Sequence, residues 1–294
     1  MADFAHLDHN VSTWPPWGSL AIDSFMIDNW DTSSDKSDED QRLALVREFV
    51  KVGRRGRQQH ARKVAKGTVK PTDDQVGTIL QPLRSPVLRY VATKLDGEIR
   101  DYNRLRLWLR TDYADEERHK TFCQSILDSD SVDCGEALYE DSTILSNSYF
   151  YNFSSWREAL DTLPELVAGA ECKVEEDTDG GIDYRREKER EYMDHQGEPV
   201  SGDISLAAQQ DCCAVCYLIV EDQELYATDP PLFHALWLDD CGNIVRENRI
   251  TTGQASIYPS MAREGMGAEN EIWMEAKIGP KYEEGAEFGP PFSV

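Results

Sequence analysis

The sequence contains few positive charges and no long apolar run. Lys and Arg number 31 against 55 Asp and Glu, which gives a formal net charge of −24. Because so acidic a surface repels phosphate groups, the composition excludes a protein that binds nucleic acid or an anionic membrane over its whole surface. No stretch of about 18 apolar residues and no signal-peptide pattern occurs. We therefore expect an intracellular protein of the cytoplasm or the nucleus that does not contact a membrane.

Sequence patterns of metal, cofactor and catalytic sites are missing as well. The seven cysteines are odd in number and show no disulfide spacing, so we expect reduced thiols. Cys213 and Cys216 have the Cys-x-x-Cys spacing of half a zinc site, but on a strand their side chains would point to opposite faces. No phosphate loop, nucleophile elbow or dinucleotide fingerprint is present. The sequence thus predicts no metal, no cofactor and no catalytic residue that can be named.

Residues 1–36 show no sustained helical or strand period and predict a flexible arm. The arm contains two tryptophans, Trp14 and Trp17, on either side of a Pro-Pro pair. The prolines favour polyproline geometry, and the tryptophans can bury a large apolar area. Two interpretations are open, since these tryptophans can pack on the body of their own chain or dock a partner.

A small helical and partly basic region is predicted over residues 37–99, where Ser37 is a suitable N-cap for a helix from about 38 to 52. Residues 51–70 then hold eight Lys or Arg and no acid. Such a segment attracts an acidic partner or a polyanion, serves as a nuclear import signal, or complements the acidic surface of its own chain or of a second copy. Nucleic acid is the least favoured partner because no Phe, Tyr or Trp is interleaved for base stacking. The candidate partner-binding side chains are Trp14, Trp17, Arg54, Arg55, Arg57, Arg62 and Lys63.

Residues 100–280 predict an α/β or α+β domain, in which a mixed sheet is flanked by helices. Leu105, Leu107 and Leu109 recur with the two-residue period of a strand, and a helix with one apolar face follows. The uncharged run 212–220 is typical of a strand that is buried on both faces. The predicted strands are 105–109, 144–153, 212–220, 232–238, 244–250 and 272–278.

Two further segments are expected to lie outside the packed core. Residues 171–203 hold twelve Asp or Glu and five Lys or Arg, and they predict a solvated acidic insertion. Residues 281–294 are rich in Gly, Pro and Glu, and they predict a tail that wraps the surface or frays. The expected fold is therefore one mixed-sheet domain with a helical N-terminal region and flexible termini.

A candidate ligand site follows two of the predicted strands. Arg110 and Asp112 come after the first strand, and Asp239 and Asp240 come after strand 232–238. In an open α/β sheet, ligands bind beyond the carboxyl ends of the strands. If both strands run parallel and close together, these side chains converge on a polar or metal-bearing ligand. In the simpler alternative, Asp112 caps a helix and pairs with Arg110, while Asp239 and Asp240 form a turn.

Residues 107–127, with the sequence LWLRTDYADEERHKTFCQSIL, resemble a group of uncharacterised filamentous-fungal intracellular proteins. Those proteins share a strand that runs into Arg-Thr-Asp-Tyr and an acidic helix start, and His119 stands where they have an aromatic residue. A later apolar strand with a Cys, here 212–220, and a strand around Trp273 extend the similarity. The resemblance implies a fungal cytosolic origin and one α/β domain, and it implies no activity.

Two functions are consistent with these patterns. The favoured prediction is a non-enzymatic interaction or regulatory protein, because catalytic motifs are missing while the arm, the basic segment and the insertion offer binding surfaces. Its expected partner is another protein, with a homo-oligomer as the alternative. The second hypothesis is a small-ligand or metal-dependent enzyme with a carboxylate cluster formed by Arg110, Asp112, Asp239 and Asp240 at the carboxyl ends of the strands.

Overall fold

A mixed sheet of six strands forms the centre of the protein. The structure is a computed structural model that describes residues 14–101, 106–127, 138, 143–167, 206–207, 210–211, 213–256 and 270–289. The strands are β1 (Arg106–Arg110), β2 (Thr143–Leu145), β3 (Cys216–Glu221), β4 (Phe233–Leu238), β5 (Ile244–Ile250) and β6 (Lys277–Ile278). They lie in the order β2-β1-β3-β4-β5-β6. The first three strands are parallel to one another, and β3 to β6 form an antiparallel meander.

Helices cover both faces of this sheet. They are α1 (Ala21–Asn29), α2 (Asp38–Lys51), α3 (Gly53–Ala65), α4 (Asp73–Gln75), α5 (Pro86–Asp101), α6 (Glu116–Leu127), α7 (Ser148–Tyr151), α8 (Glu158–Thr162) and α9 (Glu271–Met274). A π-helical turn, Val76–Leu80, follows α4, and 3₁₀ turns occur at Pro164–Val167 and Leu225–Ala227. Among the described residues, no helix combines the length and the apolar character needed to cross a membrane.

Alternation along the strands divides the core into two apolar layers. In β3, Leu218 and Val220 face a cluster formed with α1, α2, α5 and α8. Tyr217 and Ile219 face the other cluster, which includes α6 and α9. Because successive strand residues point to opposite faces, one uncharged run supplies both layers. The predicted mixed sheet with flanking helices is confirmed. The predicted strand 212–220 begins only at Cys216, so Cys213 lies before the strand, and the two cysteines contact different layers.

The N-terminal segment contains more structure than its sequence predicted. Residues 21–29 form α1, and its side chains Ile22, Phe25 and Met26 are buried in the first layer. Asp23 supports the start of this helix by accepting hydrogen bonds from the backbone N–H groups of Gly18 (2.9 Å) and Leu20 (3.2 Å). A flexible arm over 1–36 is therefore wrong for α1, which is a regular helix with buried apolar side chains. Residues 1–13 lie outside the described residues.

The two arm tryptophans pack differently. The guanidinium of Arg89 in α5 lies over the Trp17 ring at 4.4 Å and donates to Pro16 O at 2.6 Å. This contact packs the half-buried Trp17 on its own chain, which agrees with the first of the two interpretations, and partner docking by Trp17 stays a prediction. Trp14 remains 44% exposed.

Two predicted strands each contain a short helix and only a short strand in the structure. Within 144–153 only Thr143–Leu145 is strand, since the Asn147 side chain accepts from Tyr149 N at 2.9 Å and starts α7. Within 272–278, Asn270 accepts from Ile272 N at 2.8 Å and starts α9, which leaves a two-residue β6. In both places a capping Asn overrides the strand preference of the aromatic and β-branched residues that follow.

The two segments predicted to lie outside the core have different outcomes. The tail is described as far as Gly289, and Tyr282 is buried there with its hydroxyl donating to Asp239 at 2.8 Å. The beginning of the tail therefore packs on the domain instead of fraying. The acidic insertion 171–203 lies outside the described residues.

Candidate functional site

The predicted convergence of Arg110, Asp112, Asp239 and Asp240 does not occur. Strand β4 runs antiparallel to β3, whereas β1 runs parallel to β3. The carboxyl end of β4 therefore lies at the opposite end of the sheet from Arg110 and Asp112. The prediction was wrong because an apolar run indicates a buried strand and carries no information on its direction.

At the far end, the two aspartates organise the β4–β5 turn and its contact with α3. Asp239 accepts hydrogen bonds from the backbone N–H groups of Cys241 (2.9 Å) and Asn243 (2.8 Å). Asp240 accepts from the backbone N–H of Arg54 at 2.6 Å, at the first turn of α3. The simpler alternative, in which these aspartates form a turn, is confirmed.

This turn also has the composition of a small metal site, with ligand atoms of Asp239, Asp240 and Cys241 within 4.8 Å of one another. Burial, reinforced by the nearby aspartates, raises the pKa of Cys241 to about 12. Because a metal binds the thiolate and not the thiol, Cys241 is a poor ligand at neutral pH. The hydrogen bonds from backbone N–H groups further occupy the carboxylates, so the geometry fits a structural turn.

At the near end, a buried polar cluster surrounds Glu221, the last residue of β3. Its carboxylate accepts from Trp108 Nε1 (3.1 Å), Tyr226 OH (2.9 Å) and His119 Nδ1 (2.7 Å). Arg110 Nε lies 3.6 Å from the same carboxylate. Glu221 is fully buried. We call these five residues the Glu221 cluster. It lies between the sheet and α6, at the end of the second apolar layer.

Each member of the Glu221 cluster is positioned by a regular element. Trp108 and Arg110 lie on one face of β1, and Arg110 is in register with Glu221 on β3. His119 lies on the inner face of α6, whose N-terminus is capped by Asp115 accepting from Arg118 N at 2.9 Å. The cap is thus Asp115, whereas the Asp112 side chain accepts from Ala114 N at 3.0 Å in the preceding turn. Sequence reasoning missed Glu221, although a charge at the end of an apolar strand was a usable signal.

Arg110 pairs with acids other than the one predicted. Its guanidinium contacts Glu116 at 3.0 Å and donates from Nε to the backbone oxygen of Asp112 at 2.8 Å. The predicted pairing with the Asp112 carboxylate is therefore wrong. The buried cations Arg110 and protonated His119 face the acids Glu221 and Glu116, so the charges inside the cluster balance.

The geometry around His119 does not form a catalytic triad. Cys123 Sγ lies 3.7 Å from Nδ1 and 3.6 Å from Nε2. A sulfur nearly equidistant from both nitrogens does not lie along the line of either N–H, so it is not aligned for proton transfer. Tyr226, whose ring carries the Arg118 guanidinium at 4.3 Å, separates the cluster from a neighbouring cleft of about 290 Å³. The cluster is built as a structural support.

His119 makes the stability of the protein depend on pH. Burial opposes its protonation, but the contacts with Cys123 and Glu221 outweigh burial and raise its pKa from 6.5 to about 9. A folded pKa above the unfolded value stabilises the protein below the unfolded pKa, and this stabilisation is lost as pH rises through about 9. We expect the free energy of unfolding, measured with urea, to fall by roughly 2 to 3 kcal/mol between about pH 7 and pH 10. The His119→Gln variant should lack this fall, and an equal fall in that variant would contradict the assignment.

A second candidate site is the basic helix α3, which meets α2 at a tight junction. Gly53 has a φ of +61°, and a Cβ there would lie 3.0 Å from Asp240 Oδ2. The inner face of α3 is polar and buried: His60 contacts Ser24 Oγ at 3.0 Å, and its ring packs edge-on against Phe25 at 5.2 Å. The helix is therefore fixed against α1 and the β4–β5 turn.

The five predicted partner-binding cations of α3 have different environments. Arg57 is only 4% exposed and donates to four backbone oxygens, so its assignment to a partner surface is wrong. Lys63 pairs with Asp28 at 2.7 Å, and Arg54 is half-buried. Arg55 and Arg62 are exposed. Two more exposed cations, Lys66 and Lys70, follow at the C-terminal end.

Neither site is explained by similarity to known proteins. No family model, curated protein or solved structure matches the chain. The resemblance of residues 107–127 to a fungal protein group therefore stays a prediction.

Proposed function

We propose that the protein is a non-enzymatic interaction protein of the cell interior that binds an acidic segment of a partner protein through α3. The binding surface, here called the basic stripe, consists of Arg55, Gln58, Arg62 and Lys66. All four residues are exposed. Their spacing repeats every three or four residues, so they lie along one side of the helix. This row of exposed cations in an otherwise acidic chain is the observation that carries the proposal.

The opposite side of α3 supports the stripe as a rigid platform. Gly53, Arg57 and His60 are its buried residues. Arg57 reaches the backbone oxygens of Val50 (3.0 Å) and Asp240 (2.7 Å), which connects α3 to α2 and to the β4–β5 turn. A fixed helix loses little backbone freedom when a partner binds, which favours affinity.

The dimensions of the stripe favour an acidic peptide over a nucleic acid. From Arg55 to Lys66 the helix rises about 16 Å, which an extended peptide of about five residues spans. The phosphates of a duplex would extend beyond so short a stripe. Those phosphates would lie against the rest of the surface, which is acidic and repels them. The stripe also has no aromatic residue for stacking on unpaired bases.

The test measures binding of a fluorescent ten-residue polyglutamate peptide by anisotropy. We expect the triple variant Arg55→Gln, Arg62→Gln, Lys66→Gln to bind at least about tenfold more weakly than wild type, with a loss that shrinks as salt is added. Wild-type binding in the triple variant would overturn the proposal. So would tighter binding of a DNA duplex or an RNA strand than of the peptide at equal salt.

A matched control distinguishes the effect of the stripe on peptide binding from the effect of the net charge of the protein. Lys36, Lys120 and Lys281 are exposed cations outside α3, and replacing them with Gln removes the same charge. This control variant should bind the peptide nearly as well as wild type. A second copy of this acidic chain is another available partner, and it would appear in sedimentation as a dimer that the stripe variant lacks.

A further inference from the structure

The acidic insertion leaves the described fold beside the basic helix. Arg57 of α3 donates from Nη2 to the backbone oxygen of Val167 at 2.8 Å. Val167 is buried, and it is the last described residue before the stretch 168–205. The part of that stretch nearest to Val167 is also its most acidic, since residues 171–183 hold six Asp or Glu and one Lys. We call residues 171–183 the acidic run.

The connection from Val167 is long enough to bring this run to the stripe. Glu171 is the fourth residue after Val167, and an extended chain covers about 13 to 14 Å over that distance. An α-helix with its side chains is about 10 to 12 Å across, so the way around half of it is about 16 to 19 Å. An extended chain covers about 26 to 29 Å between Val167 and Glu175, which is enough to bring the acids of the run to the exposed side of α3. Tethering this close gives a local concentration in the millimolar range.

We propose that the acidic run occupies the basic stripe of its own chain and competes there with an external acidic partner. The inference rests on the proposed function, because the stripe is the surface in question. Charge complementarity selects the occupant: the run holds six acids and one Lys, and the chain that carries it leaves the described fold at Val167, in contact with Arg57 of α3. Since exposed ion pairs are individually weak, the occupancy is reversible and a partner with more acids displaces the run.

Zero-length coupling of amines to carboxylates tests the contact itself. After treatment with a carbodiimide at low salt and digestion, mass spectrometry should find Lys66 or Lys70 joined to acids of 171–183. The ion pairs Lys63–Asp28 (2.7 Å) and Lys277–Glu247 (2.9 Å) serve as internal positive controls. If these two pairs couple while no product links α3 or Lys70 to the run, the cis contact is refuted.

Peptide binding tests the competition. The variant Glu175→Gln, Glu176→Gln, Asp177→Asn, Asp179→Asn should bind the polyglutamate peptide about tenfold more tightly than a control that loses the same charge elsewhere. The control replaces four exposed acids, Glu271, Glu275, Glu283 and Glu284, with Gln. Equal affinities in the two variants would mean that only net charge matters and would overturn the competition.

The two measurements distinguish failure of the inference from failure of the proposed function. Cross-links from α3 to the acidic run without peptide binding by any variant would leave the cis contact standing and refute the external partner. If peptide binding depends on the stripe, but there are no cross-links and the two acid-to-amide variants bind equally well, then the external partner stands and the cis contact is refuted.

Discussion

Replacement of Glu221 by Gln is expected to lower the free energy of unfolding by about 3 to 5 kcal/mol. The carboxylate accepts from Trp108, His119 and Tyr226. An amide has one oxygen and one NH₂ group, and the NH₂ group cannot accept, so at least one buried donor loses its partner. The substitution also removes the buried one of the two negative charges that face the guanidinium of Arg110, which leaves only Glu116. Urea unfolding at neutral pH measures the loss.

Glu116→Gln is the matched control, because it removes the other carboxylate that pairs with Arg110. The Glu116 side chain is 52% exposed, so its removal should cost less than about 1 kcal/mol. In the Glu221→Gln variant the pKa of His119 should also fall, and the decline of stability between about pH 7 and pH 10 should become smaller, because only the contact with Cys123 still raises that pKa. Equal costs for the two variants would show that the Glu221 cluster contributes no more than a surface pair.

The fold was predictable wherever a local pattern decided it. The uncharged run that contains β3 and the alternating leucines of β1 indicated strands correctly, because burial of those side chains dominates their energy. The run 144–153 was misassigned because Asn147 caps a helix at Tyr149, and one hydrogen bond outweighed several strand-favouring residues. Direction was not predictable either, since the antiparallel course of β4 depends on pairing with β3 and not on any residue within β4.

The candidate sites were less predictable than the fold. The basic segment was recognisable from charge alone, but its division into an inner face with Arg57 and an outer face with Arg55 and Arg62 required the helix to be placed against α1. The Glu221 cluster joins residues from β1, α6 and β3, and its closest pair, His119 and Glu221, is 102 residues apart in sequence. Only the sheet register brings such residues together.

Arg57→Met is expected to cost about 3 to 5 kcal/mol of stability, and Arg55→Met is expected to change it by less than about 0.5 kcal/mol. Arg57 donates to the backbone oxygens of Val50 (3.0 Å), Val167 (2.8 Å) and Asp240 (2.7 Å). Met has a similar length and no donor, so the substitution removes the donor that reaches the buried carbonyls of Val167 and Asp240, while Val50 O keeps its bond from Val52 N. Thermal and urea unfolding of the two single variants give the comparison.

Arg55→Met, which leaves stability nearly unchanged, should weaken peptide binding more than Arg57→Met does. Arg55→Met removes a cation from the basic stripe and should weaken polyglutamate binding while the protein melts like wild type. Arg57→Met, measured at a temperature where the variant is still folded, should keep binding close to the wild-type value, because its guanidinium is turned away from the stripe. If instead Arg57→Met melts normally and fails to bind, Arg57 serves the partner surface and its assignment to the fold is wrong. If Arg57→Met lowers stability and Arg55→Met lowers peptide binding, then two arginines of one basic helix have separate roles, one in the fold and one in recognition of a partner.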